Sequence, residues 1–360
     1  MTGRGTWFRR GWWRSPDLTI ILIAINLVVF AIELAVGEFL FEPVPEASPT
    51  EATTAAMIFC GGQVPGHVVA GEVWRLLTSV FLHLDVVHLA MNCIATFSLL
   101  PPVQQRIGFG RSVSLYVFGG IAGSLAAQGW RLLGPEGSAA LHMHGVGIGA
   151  SGAVFAVFGF LIGVFWRAKD PLGSSIRRQL LFWLLINVIY GLTAPNIGND
   201  AHAGGFVFGL LFERLAARRP SAWTARLLGA RVTTVIAIGL VVAAMTSQLV
   251  WCLGAPGAEF RRLEAIAGDW QGGLIFQPVV ISPFPDVSRK RVQDMDEIIR
   301  RLDARRDIPE AATLRAYFEA VRANAAGEPL PAAEREARLR GYLHLFDRFR
   351  LRLGPLTGAA

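Results

Sequence analysis

A serine, three histidines and an asparagine stand where the sequence is otherwise apolar. Gly149-Ala150-Ser151-Gly152 opens one apolar run, and Ala201-His202 opens another that continues to Gly205 and Gly209. A third begins His83-Leu84-Asp85-Val86-Val87-His88 and reaches Asn92 one turn later. A serine hydroxyl is a weak nucleophile until a base within hydrogen-bond reach takes its proton. His202 is the only histidine inside a predicted span after Ser151, and imidazole titrates near neutrality. Attack on a carbonyl creates an oxyanion, which needs preorganised donors. His88 and Asn92 lie four residues apart, hence on one helix face, and with the Ser151 backbone N–H they could supply those donors. The chemistry these types allow is acyl transfer. Each piece also has a plainer reading. A Gly-x-Ser-Gly start to an apolar helix is more often packing, and a histidine at a helix end is usually structural. His88 and Asn92 could simply bond neighbouring helices, a gain of about 1 kcal/mol.

Their common depth decides between these readings. The chain is 52% hydrophobic and only 17% charged, where soluble domains carry about 25% charged residues. The apolar residues fall in blocks near the ~20 needed to span a bilayer, predicting spans at 18–38, 86–104, 111–129, 150–167, 179–195, 201–217 and 232–253. The formal charge of +7 is spread in alternation. Arg9, Arg10 and Arg14 precede the first span; Arg106 and Arg111, then Arg167, Lys169, Arg177 and Arg178, then Arg214 to Arg231 fill alternate connections. The others carry mainly acids, such as Glu38, Glu42, Glu72, Glu136 and Asp200. That is the positive-inside pattern with a cytoplasmic amino terminus, and it does not form the one-sided basic face of a nucleic-acid binder. Under this topology all three polar clusters lie at the outer ends of their helices. Gly152, Ala156, Gly159 and Gly163, facing Gly205 and Gly209, provide the small faces that let two helices approach closely.

The rest of the chain divides around this core. Residues 1–17 form a basic cytoplasmic segment whose first span lacks a small-residue cleavage site, so it reads as an anchor. The connection 39–85 is acidic and Pro-rich, then semi-apolar, as if partly seated in the membrane interface. Residues 218–231 are a basic cytoplasmic linker, 232–253 a seventh span, and 254–360 an extramembrane domain. That domain has helical spacing over 288–305 and 331–352, with Pro283, Pro285, Pro309 and Pro331 as breaks. The three cysteines give no disulfide framework, although Cys60 and Cys252 should both end near the outer surface. His142 and His144 lie in a Gly-rich connection without the ligands of a zinc site. They read as solvated, as does His67, while His344 belongs to the tail. No metal or cofactor is expected. Matching halves with broken helices, the mark of many transporters, are missing from the sequence.

The runs Gly71-Glu72-Val73-Trp74-Arg75 through His83, His88 and Asn92, then Gly149-Ala150-Ser151-Gly152, then Ala201-His202-Ala203-Gly204-Gly205 to Gly209 together resemble the rhomboid intramembrane proteases. The resemblance covers roughly residues 17–217. It implies an all-α membrane protein, a rhomboid-like six-helix bundle over 18–217, here with a seventh transmembrane helix and a small mainly helical extramembrane domain. It implies Ser151 as nucleophile and His202 as general base, a dyad without a carboxylate. His88, Asn92 and the Ser151 amide become oxyanion donors. Trp74 and Arg75 order the outer loop, and His83 is structural. Gly149, Gly152, Gly205 and Gly209 shape the site. Where family members commonly carry an aromatic stacked on the histidine, this chain has Phe155, which has no hydroxyl to donate. The implied activity is a serine endopeptidase that cuts transmembrane helices of single-pass or multi-pass membrane proteins within the lipid bilayer, as expected of a multi-pass protein in a bacterial plasma membrane. The rival class is a non-catalytic relative that binds client helices, which typically loses the serine or the histidine.

Overall fold

The computed structural model describes residues 17–40, 54–133, 146–193, 197–217, 230–268, 296, 298–300, 302–303, 305, 307–325 and 330–357. His142 and His144 lie outside them. The regular elements among these residues are helices. Its elements run α1 (Leu18–Leu40), α2 (Thr54–Phe59), α3 (Pro65–Val69) and α4 (Arg75–Thr78), the last continued by a 3-10 turn at Ser79–Phe81. Then come α5 (Val86–Ile107), α6 (Phe109–Leu133), α7 (Ser151–Trp166), α8 (Pro171–Thr193), α9 (Asn199–Ala217) and α10 (Ala230–Leu253). The carboxyl-terminal part holds α11 (Ala255–Gly268), α12 (Pro309–Ala325) and α13 (Ala332–Thr357). Among the described residues one isolated antiparallel bridge, Gln63 to Gly147, is the only β pairing.

A helix that is apolar all round must be covered on every side. The sequence of α7, SGAVFAVFGFLIGVFW, is of that kind, and 13 of its 16 residues are buried, which makes it the centre of the bundle. α6 and α9 pack closest to it, with α5 and α8 also in contact. The α7–α9 approach is backbone on backbone. A Cβ at Gly205 would overlap the Gly152 carbonyl, and one at Gly209 the Ala156 carbonyl. Ile20, Leu27, Phe182, Trp183 and Leu185 on α1 and α8 remain exposed, an apolar surface suited to hydrocarbon rather than water. By length and composition α1, α5 and residues 231–253 can cross a membrane, and α7 is apolar but 16 residues long. α6 and α9 are more polar, carrying Ser112, Ser114 and Gln128 or Asp200 and Glu213 turned inward or to the ends.

Local chemistry sets several boundaries. Asp85 caps α5, its carboxylate accepting from the His88 N–H at 2.7 Å, a bond worth about 1 kcal/mol. Gly108 ends α5 with a positive φ of 82°. Asp170 accepts from the Gly173 N–H at 2.8 Å to start α8. Pro309, read from the sequence as a break between segments, is the first residue of α12 after a turn, where a missing N–H costs nothing.

A second apolar core sits at the end of the bundle that holds Ser151. It joins Ala55, Ile58, Phe59 and Val64 of the long connection to Trp251 and Phe260, and to Leu302, Leu314, Tyr317, Phe318, Tyr342 and Leu345 of the carboxyl-terminal part. The connection between α1 and α5 is therefore folded and covered. His67, expected to be solvated, is completely buried because its Nδ1 is 2.9 Å from Glu72 Oε2. Gln63 ties the same connection to α6, donating to the Ser124 carbonyl at 2.9 Å and to Gln128 Oε1 at 3.2 Å. His344 is exposed on α13.

Candidate active site

Ser151 is the first residue of α7 and is half-buried. The turn delivering it depends on Gly149, whose φ of +116° is one that L side chains rarely adopt. The preceding segment is held from outside the helix. Gly147 exchanges two backbone bonds with Gln63, at 2.8 and 2.9 Å, and the Gly149 N–H donates to the Ser79 carbonyl at 2.9 Å. From the facing helix, His202 places Nε2 2.9 Å from Ser151 Oγ. This closeness follows from the Gly205 and Gly209 contacts one and two turns below. Phe155, one turn after the serine, stacks on the imidazole with centroids 4.2 Å apart and planes 7° from parallel. Among the described residues no carboxylate hydrogen-bonds His202. Asp200, two residues before it, accepts from the Ala201 N–H at 2.8 Å.

His88 lies across the turn from the serine. A Cβ built at Gly149 would sit 2.9 Å from His88 Nε2, so the ring covers that backbone and requires glycine there. Its Nδ1 accepts a long bond from the Leu84 N–H at 3.4 Å. A neutral ring so engaged carries its proton on Nε2, the side toward Gly149. Asn92 is buried one turn further along α5, with its amide nitrogen turned back to the His88 carbonyl at 3.1 Å. The structure thus brings Ser151, His202, Phe155 and the His88 ring to one place, while the Asn92 amide is bonded within its own helix. His83 is fully buried and meets His88 edge-on at 5.2 Å; its backbone N–H donates to Glu33 Oε2 of α1 at 3.0 Å.

Trp74 and Arg75 stand behind this site. Arg75 is completely buried. It reaches Glu72 Oε2 through Nε at 2.6 Å, and the Ile58 and Gly62 carbonyls through Nη1 at 2.6 and 3.0 Å. Burial alone would raise the Glu72 pKa, but the hydrogen bond from His67 and the charge of Arg75 outweigh it and hold the carboxyl well below its ordinary range. Sequence reasoning missed Glu72, Glu33, Gln248 and Trp251. An ionisable or amide side chain inside an apolar span was a readable sign for Glu33 and Gln248. Glu72 stands in the Gly71–Arg75 run, but nothing in the sequence marked its partnership with Trp251. No group of three or more His, Cys, Asp or Glu suited to a metal occurs among the described residues. Cys60, Cys93 and Cys252 are free thiols.

The chain is similar to known proteins over the region that holds these residues. A family model described as the Rhomboid domain matches residues 70–219. "Rhomboid protease GluP" of Bacillus subtilis (strain 168) is 30% identical over 228 residues, 63% of this chain and 40% of that protein. "RHOMBOID-like protein 1" of Arabidopsis thaliana is 27% identical over 226 residues, covering 57% and 54%. "Rhomboid protease AarA" of Providencia stuartii is 26% identical over 211 residues, covering 54% and 71%. The chain spans about half the length of the first two.

Proposed function

This chain belongs to the rhomboid family, and from that premise we propose that it is an intramembrane serine endopeptidase acting through Ser151 and His202. The observation that carries the reading is the 2.9 Å separation of Ser151 Oγ and His202 Nε2 across two helices. Ser151 Oγ attacks the substrate carbonyl carbon as His202 Nε2 takes the hydroxyl proton. The oxyanion that forms draws on the Ser151 N–H, His88 Nε2 and the Asn92 amide once it turns from the His88 carbonyl. Collapse breaks the C–N bond, and His202 returns the proton to the leaving amine. Water then attacks the acyl-serine, giving its proton to His202, and the released Ser151 oxygen recovers that proton.

The substrates are membrane proteins whose helices reach the Ser151 end of the bundle. A helix shields its own backbone with hydrogen bonds, so cleavable sequences are those readily unwound by small or helix-breaking residues. The chain sits as a six-helix protease core over 18–217, a seventh span and an extramembrane helical domain, in a bacterial plasma membrane with the amino terminus in the cytoplasm. Alternating basic and acidic connections support that orientation. Ser151→Ala and His202→Ala each reduce cleavage of a transmembrane reporter by at least about a thousandfold, with the protein still inserted. Cleavage that persists in the serine variant overturns the mechanism. A non-catalytic helix binder predicts that a fluorophosphonate leaves Ser151 unlabelled.

A further inference from the structure

α10 lies beyond the residues matched by the family model, yet its last turns are bonded into the loop behind the site. Gln248, Trp251 and Cys252 stand at positions i, i+3 and i+4, on one helix face. The Trp251 indole N–H donates to Glu72 Oε1 at 2.9 Å, and the Arg75 guanidinium lies 4.9 Å above the Trp251 ring. The Gln248 amide nitrogen donates to the Phe59 carbonyl at 2.5 Å, and its oxygen accepts the Trp74 indole N–H at 2.8 Å. The Cys252 thiol donates to the same Phe59 carbonyl at 3.3 Å. Gln248 and Trp251 are both buried. A buried amide is costly unless its atoms are paired, and here both ends of the amide are paired to the loop.

From these residues the contacts run on without a gap. Glu72 holds Arg75, Arg75 holds the Ile58 and Gly62 carbonyls, and Gln63 follows directly with its two backbone bonds to Gly147. Two residues later Gly149 makes the turn into Ser151. We propose that Gln248 and Trp251 are positioning residues for peptide hydrolysis: α10 fixes the loop and, through the Gln63–Gly147 pairing, aims the Ser151 amide at the oxyanion. This inference rests on the reading of Ser151 as the nucleophile. A donor that is misaligned costs the transition state rather than substrate binding, so its loss falls on kcat.

The bland rival is that α10 only adds packed surface. Trp251→Phe keeps a ring against Phe59 and Phe260, now 5.8 and 5.9 Å away, and removes the N–H together with the smaller ring of the indole. Gln248→Met keeps the volume and removes both amide bonds. In full-length protein reconstituted with a transmembrane reporter, each variant should lose about 3–30-fold in kcat with KM within about twofold. Backbone amide exchange at residues 147–151 should quicken in parallel. The double variant Trp251→Phe with Glu72→Gln should lose less in kcat than the product of its two single losses, since both changes act on the Trp251–Glu72 contact. Unchanged kcat and exchange in both single variants, or a rise in KM alone, overturns the proposal. Should Gln248→Met fail to insert, Trp251→Phe decides by itself. The exchange measurement needs no activity, so a wild-type protein inert toward fluorophosphonate would remove the protease reading without being mistaken for failure here.

Discussion

Ser151 and His202 meet because each stands at the polar opening of an otherwise apolar helix, and their 2.9 Å contact is the geometry a base needs to take a hydroxyl proton. The donors proposed for the oxyanion are less evenly prepared. His88 already covers Gly149 with Nε2 toward the turn, whereas Asn92 must rotate away from the His88 carbonyl to reach an oxyanion. His88→Ala and Asn92→Ala should each lower kcat on a transmembrane reporter about a hundredfold while KM changes little; steady-state kinetics with the purified variants checks this. The four residues were legible because their types are rare inside apolar runs and their order is distinctive. Glu72 and Trp251 were not, since their partnership joins positions 179 apart in sequence and neither type is unusual where it stands.

The helices themselves are a matter of spacing. Gly152, Ala156 and Gly159 against Gly205 and Gly209 could be read from the chain as a close-packing face, and the backbone contacts of α7 and α9 follow that register. Gly209→Ala would drive a methyl into the Ala156 carbonyl, which cannot yield without parting two helices. A loss of about 1–3 kcal/mol is expected, read by thermal unfolding in detergent, together with a wider Ser151–His202 gap and lower activity. Gly129→Ala on α6, where an added methyl meets nothing within 4 Å, should instead be neutral or stabilising by up to about 1 kcal/mol. Helix ends were harder to read. Pro309 marks a break between segments and also begins α12, and the proline alone does not tell which of its sides carries a helix without the residues that pack on either side.

Two apolar cores meet at the loop between α1 and α5, and Glu72 lies at their junction. Its carboxylate is favoured in the folded state, held below its ordinary value of 4.5 by His67 and Arg75. The stabilisation is therefore full above that value and is lost as pH falls below it. Thermal midpoints of the wild type should drop between pH 6 and pH 3, and Glu72→Gln should flatten that dependence while lowering the midpoint at pH 6. That this loop would be covered by another part of the chain could not be read locally. Its cover comes from Phe260, Leu314, Tyr317, Tyr342 and Leu345 at the far end of the chain.

That shared core also dictates a sequence of events during synthesis. Ile58 and Phe59 leave the ribosome long before Tyr342 and Leu345, with Ser151 and His202 emerging in between. A nascent chain thus has both proposed reacting groups in hand while the scaffold behind them is still missing its roof, and helices translated later are the ones that finish it.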